Sequence, residues 1–220
     1  MNSINLPEVR IKDAWLLREN ASRYLHELWE KDGRKLPNDK WMGQKVLGYQ
    51  RAWQPFEQTI LTGMCETLGL TFRQNTIDVY IAPWFHAFSD PLVIGVNQKP
   101  DVFVDILTHE LLHRLLTDNN SIPFQTNLLK PEWDKLFGSS HSFGTLVHIP
   151  VHAVHKAIYL DVLKAPERLR RDVEGVEDEI DWDASDYVKA WEYVEKHGYK
   201  VIIEQLRESY ERLEKGTKPK

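Results

Sequence analysis

The sequence has little cysteine, no long apolar run and no excess of positive charge. Cys65 is the one cysteine among 220 residues, which excludes an intramolecular disulfide and a cysteine-rich zinc site, and is typical of a reducing compartment. The sequence has no run of eighteen apolar residues, so no transmembrane helix is predicted, and the N-terminal residues lack the pattern of a signal peptide. A net charge of −5 gives no general attraction to nucleic acid or to anionic lipid. We therefore expect a soluble, cytoplasmic protein without nucleic-acid or membrane partners.

The hydrophobic content is sufficient for a substantial core. Apolar residues make up 42% of the chain, and no low-complexity linker divides it. We predict a single domain over residues 1–220, with N-terminal helices in 1–70, a sheet and a metal-site core in 71–165, and a helical extension in 166–220. Because cysteine is so scarce, any bound metal would have to use histidine and carboxylate ligands.

The spacing of apolar residues predicts an α+β fold that is mainly helical. Helical spacing occurs in six segments, namely 11–31, 50–68, 100–117, 150–163, 185–196 and 201–213. Alternating or continuous apolar runs at 77–81 and 92–96 predict two strands of a small antiparallel sheet, packed against the helix at 100–117. Residues 117–144 read as irregular with one short helix at 132–137, and the acidic segment 172–186 as a solvated linker rather than a calcium site.

The most informative motif is His109-Glu110-Leu111-Leu112-His113, within the predicted helix at 100–117. At about 100° per residue the two histidines lie about 40° apart on one helix face, where both can bind one tetrahedral ion. Glu110 projects about 100° from His109, where it can reach a water molecule beside the ion rather than the ion itself. A chance match to so short a pattern is the alternative, and the preceding strands favour the metal site.

A catalytic zinc ion usually has three protein ligands, so one more is needed. Three downstream histidines and Tyr159 would lie within about 60° on one helix face, and these histidines are His148, His152 and His155. Proline is best tolerated in a first helical turn, so Pro150 predicts a helix that begins at 149 or 150. His152 is then the predicted third ligand, with His148 second and His155 third in preference. The remaining histidines would orient ligands or pack in the core.

Three other side chains near the motif have two interpretations each. Glu132 is a rival third ligand, although Pro131 and Trp133 beside it are also typical of a surface turn. Asp105 lies one turn before His109 and either accepts a hydrogen bond from a ligand or is solvated. Tyr159 either stabilises negative charge that develops on a substrate oxygen or packs in the core.

These residues resemble the zincin metallopeptidases, in which a strand, a loop and an H-E-x-x-H helix form the cleft. The matching pieces are Leu92 to Val96 and His109 to His113, within roughly 76–116. The metzincin subgroup would require glycine at Leu116 and histidine at Asn119. A compact gluzincin-like arrangement is closer, with a ligand on a separate downstream helix, although that ligand is normally glutamate and here would be His152.

The resemblance and the motif together predict a zinc-dependent peptidase that cleaves peptide or protein substrates. Zn²⁺ would polarise the scissile carbonyl, and Glu110 would act as general base. An edge strand such as Leu92 to Val96 would hold an extended peptide through backbone hydrogen bonds. The alternative is a metal-binding or scaffold protein without turnover on the same fold, and a metal-free structural protein is a third possibility.

Overall fold

The structure is a computed structural model that describes residues 5–21, 37–83, 85–122, 126–178 and 184–217. Its strands are β1 (Glu8–Asp13), β2 (Thr76–Ala82), β3 (Phe88–Ser89) and β4 (Leu92–Gly95). Its helices up to residue 117 are α1 (15–21, up to the end of the described stretch), α2 (Asp39–Trp53), α3 (Glu57–Leu68) and α4 (Pro100–Thr117). The later helices are α5 (Thr126–Phe137), α6 (Phe143–Ala157, continued by π-helical turns at Ile158–Val162), α7 (Pro166–Asp178), α8 (Ala184–His197) and α9 (Tyr199–Thr217).

These elements form a mainly helical α+β fold, as expected, but the sheet is mixed rather than antiparallel. Its strand order is β1-β2-β4-β3, in which β1 and β4 both run parallel to β2 and only β3 is antiparallel to β4. The prediction of an antiparallel sheet was wrong, because its two predicted strands, β2 and β4, pair in parallel. Strand β1, part of which was predicted as a helix at 11–31, also pairs in parallel with β2. Parallel neighbours need long crossover connections, and helices α1 to α3 provide the one between β1 and β2.

The two edges of the sheet differ. The outer side of β1 is covered by side chains, because the Val9 N–H donates to Glu57 Oε1 at 3.4 Å and Gln50 Nε2 donates to the Ile11 carbonyl at 3.0 Å. The opposite edge is the two-residue strand β3. The prediction that Leu92 to Val96 is an edge strand is wrong, since β4 lies between β2 and β3.

The chain consists of two compact units, and the boundary between them falls within helix α4. One unit contains the described parts of Pro7–Glu57 and Thr76–Glu110, and the other contains those of Met1–Leu6, Gln58–Asn75 and Leu111–Lys220. The helix itself is continuous from Pro100 to Thr117. The spacing of its own side chains is therefore set by helix geometry.

The first unit holds the sheet and the beginning of α4. Alternate side chains of β2 (Ile77, Val79 and Ile81) are buried, which confirms the strand predicted from their spacing. The Tyr49 hydroxyl lies 2.6 Å from the Val96 carbonyl oxygen, and the Tyr49 ring stacks on Phe103 with centroids 4.1 Å apart. These contacts fix the chain where it enters α4. The bounds of α4 confirm the helix predicted at 100–117.

The second unit is helical and is organised around α6. This helix contacts α5, α8 and α9, and ten of its fifteen residues are buried. It begins at Phe143, because the Ser142 side chain accepts a hydrogen bond from the Thr145 N–H and caps the helix. The predicted start at 149 or 150 was wrong. An interior proline costs about 3 kcal/mol, and the burial of so much apolar surface along α6 outweighs that cost.

Several other predicted boundaries change. The single helix predicted at 50–68 is two helices, which separate at Gln54–Phe56 around Pro55. The short helix at 132–137 begins earlier, at Thr126, and residues 172–178 of the acidic segment predicted as a linker are helical, as the end of α7. Residues 22–31 of the first predicted helix and residues 179–183 lie outside the described part of the chain. The helices at 185–196 and 201–213 are confirmed as α8 and α9, and within the described residues no helix is long and apolar enough to cross a membrane.

Candidate metal centre

Helix α4 holds the H-E-x-x-H motif in a buried setting. Leu107, Leu111 and Leu112 are fully buried, so the helix is enclosed on several faces at the motif. His109 is 7% exposed and His113 lies one turn further along. Two imidazoles are thus held at the spacing of one helical turn, within an environment that limits access of water.

Among the described residues, one group of three potential ligands is close enough to hold a metal ion. It consists of His109, His113 and His148, whose ligand atoms all lie within 4.8 Å of one another. The His113 and His148 rings meet edge to face, with centroids 5.0 Å apart. Zinc–nitrogen bonds of about 2.0–2.1 Å place tetrahedral nitrogens about 3.4 Å apart, which is inside this limit. The donor set therefore fits a zinc ion.

The orientation of His148 supports the same interpretation. Its Nδ1 lies 2.7 Å from the Gly144 carbonyl oxygen, and a carbonyl oxygen only accepts hydrogen bonds. Nδ1 must therefore carry the proton and donate, which leaves the lone pair on Nε2. Metal-binding histidines typically donate their other ring N–H in this manner, which fixes both the tautomer and the ring plane.

His152, the first choice from sequence, is not in this group. Its ring is buried and stacks on Trp191, with centroids 4.3 Å apart and planes at 10°. The His152 and His148 ring centroids are 5.5 Å apart. His148, the second choice, is thus the downstream histidine that the structure brings to the motif. The assignment of the metal ligands stays a prediction.

His155, the third choice, belongs to a separate buried group on the same helix. Its Nδ1 lies 3.6 Å from Asp172 Oδ2, and its ring centroid lies 4.2 Å from that of Tyr159. Burial, with a contribution from the charge of Arg168, lowers the pKa of His155 to about 3. Burial thus outweighs the nearby carboxylate, and the ring is neutral. Tyr159 is fully buried, which agrees with its interpretation as a core residue.

The two acidic candidates have different surroundings. Glu132 is 8% exposed and accepts hydrogen bonds from the Ser209 hydroxyl at 2.9 Å and from the Arg212 guanidinium. Its carboxylate thus joins α5 to α9, and it is not part of the histidine group. Asp105 is 5% exposed, so it is not the solvated carboxylate of the alternative interpretation.

The ionisable groups of the motif are strongly affected by burial. Glu110 is 5% exposed, and burial raises its pKa to about 8. Burial, together with the charge of nearby His148, lowers the pKa of His113 to about 3. His113 is therefore a neutral imidazole, which is the form that binds metal ions.

The residues that surround His148 were not predicted from the sequence. Tyr187 of α8 lies against the His148 ring, with centroids 3.9 Å apart. Its neighbour Asp186 accepts hydrogen bonds from the hydroxyls of Ser142 and Thr145, at 2.6 and 2.9 Å. The capping pattern at Ser142 was the one local signal that could have moved the start of α6 and favoured His148 over His152.

No family model matches the chain, and no match was found among the curated proteins or the solved structures. The resemblance to zincins remains a prediction that depends on the motif.

Proposed function

We propose that this protein is a zinc-dependent peptidase whose metal ligands are His109, His113 and His148. The observation that carries the proposal is the convergence of three imidazole nitrogens within 4.8 Å, two of them from the H-E-x-x-H helix. Three protein ligands leave one coordination position open, as in catalytic rather than structural zinc sites. This choice replaces His152 by His148, on the strength of the hydrogen bond from His148 Nδ1 to Gly144.

When bound, Zn²⁺ would act as a Lewis acid on the substrate carbonyl and lower the pKa of water to about 7. The remaining chemistry belongs to Glu110, which follows His109 directly in the sequence. Its carboxylate would accept the proton of the attacking water and deliver it to the amine that leaves. The ionised carboxylate is the form that accepts the proton, and burial, which raises its pKa to about 8, favours holding that proton until the amine leaves.

An extended peptide is the substrate class that the sheet favours. The outer side of β1 is covered by Gln50 and Glu57, whereas β3 forms the other edge. Phe88 in β3 is 59% exposed and Phe85 just before it is 41% exposed, so apolar side chains flank this edge. Backbone hydrogen bonds from β3 would hold a peptide strand, and the two rings would favour apolar residues in it.

The test combines metal analysis with hydrolysis of a peptide library. Purified wild type should contain about one equivalent of zinc and should cleave the library. Glu110→Gln should keep the metal and lose activity by about 10²-fold or more, because general base catalysis typically contributes 10²–10⁴-fold. Equal activity of wild type and a fully metallated Glu110→Gln would remove Glu110 from the mechanism.

Glu132→Gln is the matched control for that experiment. It also neutralises a buried glutamate, but one that is bound to Ser209 and Arg212. We expect it to keep both zinc and activity. Loss of zinc in this variant would instead support Glu132 as the third ligand and contradict the assignment of His148.

A metal-binding protein without turnover is the second candidate, and the position of His152 favours it. The His152 ring is adjacent to that of His148, and its pKa is lowered mainly by burial and further by the charges of neighbouring histidines that include His113. A small shift could make it a fourth ligand that closes the open position. X-ray absorption spectroscopy distinguishes the two functions: four imidazoles and no water indicate a closed site, and three imidazoles with one water indicate a catalytic one.

A further inference from the structure

The beginning of α8 is bound to the beginning of α6 through one carboxylate. Asp186 Oδ1 accepts hydrogen bonds from the Ser142 hydroxyl at 2.6 Å and from the Thr145 hydroxyl at 2.9 Å. The Ser142 Oγ also accepts the Thr145 N–H and thereby caps α6. The first turn of α6, which precedes His148 by one turn, is therefore fixed to Asp186.

Gly144 lies in that turn because Asp186 occupies the space that a side chain would need. A Cβ built on Gly144 would overlap the Asp186 carboxylate, with the Asp186 Cγ only 3.1 Å away. Glycine is unfavourable within helices. Its presence here has a direct steric cause, which is the close approach of α8.

The same glycine provides the carbonyl that orients His148. The Gly144 oxygen accepts the hydrogen bond of His148 Nδ1 at 2.7 Å, and Tyr187 packs on the His148 ring with planes at 35°. The imidazole is thus held by a hydrogen bond at one nitrogen and by an aromatic ring on its face. Both constraints depend on the first turn of α8, since Asp186 and Tyr187 are adjacent.

We propose that Asp186 and Tyr187 are positioning residues that hold His148 in the orientation required for metal binding. Asp186 acts through Ser142, Thr145 and the Gly144 carbonyl, and Tyr187 acts through direct contact with the ring. Neither residue belongs to the group of potential metal ligands. This inference rests on the proposed metal site, and it assigns to α8 the preorganisation of the third ligand.

The experiment measures the Zn²⁺ affinity of the full chain by competition with a chelator, and the visible spectrum of the Co²⁺ form. Asp186→Ala should raise the Kd for zinc by about 10- to 100-fold, the usual effect of removing a group that orients a ligand. Its Co²⁺ spectrum should change, because the ligand geometry changes. Asp186→Asn keeps the Oδ1 acceptor, so it should restore the affinity to within about threefold of wild type.

Two further variants separate positioning from general stability. Gly144→Ala adds one methyl group that displaces Asp186, and it should weaken zinc binding although alanine favours helices. If Asp186→Ala does not fold, Gly144→Ala provides the test in its place. Glu132→Ala removes another buried carboxylate that joins two helices, through Ser209 and Arg212 rather than through the turn before His148, and should leave the zinc Kd and the Co²⁺ spectrum unchanged.

The outcomes separate this proposal from the function on which it rests. If wild type binds neither ion, the metal site itself is wrong and the positioning role falls with it. If wild type binds zinc and both Asp186→Ala and Gly144→Ala match its Kd and Co²⁺ spectrum, only the positioning role is overturned. An equal loss of affinity in Glu132→Ala, with zinc retained by Glu132→Gln, would also overturn it, because Glu132 would then not be a ligand and general destabilisation would account for the effect.

Discussion

Replacement of His148 by phenylalanine removes both ring nitrogens of the proposed third ligand and keeps an aromatic ring. The contact of that ring with Tyr187 would be kept, so the loss of stability without metal should be small. His152→Phe is the matched variant, because it would keep the stacking on Trp191. Comparison of zinc binding by the two variants shows which of the two histidines binds the metal.

The size of the effect follows from the number of ligands. Loss of a group that only orients a ligand costs about 10- to 100-fold in affinity, so loss of one of three ligands should cost at least about 100-fold. With zinc at about 100 times the wild-type Kd, binding stabilises wild type by about 2.7 kcal/mol. The same zinc concentration would stabilise a variant with 100-fold weaker binding by only about 0.4 kcal/mol.

Thermal unfolding with and without zinc measures this difference. Each kcal/mol shifts the Tm of a chain of this length by about 2–4 °C. We therefore expect zinc to raise the Tm of wild type and of His152→Phe by about 5–11 °C, and that of His148→Phe by about 1 °C. The reverse pattern, in which His152→Phe loses the zinc response and His148→Phe keeps it, would refute the assignment and return His152 to the site.

Three further predictions concern packing, pH and metal removal. Gly63→Ala should lower the free energy of unfolding by about 1–2 kcal/mol, because its Cβ would lie 2.9 Å from both methyl groups of Val162. Gly48→Ala should raise the free energy of unfolding by about 0.5–1 kcal/mol, because its Cβ would have nothing within 4 Å and alanine favours helices. Urea titration of both variants checks this pair of predictions. The free energy of unfolding should fall as the pH drops from 6.5 towards 3, because unfolded His155 takes up a proton near pH 6.5 and buried His155 only near pH 3. Between pH 7 and pH 5 His155→Phe should reduce that fall by up to about 2 kcal/mol, and an unchanged pH profile would contradict its burial as a neutral ring. Dialysis against a chelator should abolish hydrolysis, and added Zn²⁺ should restore it; activity that survives complete metal removal would exclude a metallopeptidase.

The elements that the sequence predicted correctly are those with local signals at both ends. Helix α4 begins at Pro100 and Asp101, whose types suit a first helical turn, and its apolar residues continue to Thr117. In strand β2, partly exposed and buried side chains alternate from Thr76 to Ile81. The motif within α4 could be placed on one face for the same reason, since two side chains four residues apart share a helix face wherever the helix lies.

The errors arose where distant residues decide the structure. The six residues of β1 become a strand because they pair with β2, in a register that joins Glu8 to Thr76, and no local pattern reports that pairing. Proline is disfavoured inside a helix, but the burial of α6 among three other helices outweighs this preference at Pro150. His148 was therefore ranked second, because the packing that extends α6 upstream could not be seen in the sequence.

The coverage of strand β1 by Gln50 and Glu57 has a consequence for the behaviour of the protein in concentrated solution. An open parallel edge of six residues offers unpaired backbone groups to a neighbouring molecule, and such pairing is a common start of aggregation. Here Val9 and Ile11 already have hydrogen-bond partners from side chains of their own chain. The open edge, β3, is only two residues long. Self-association through the sheet is thus limited.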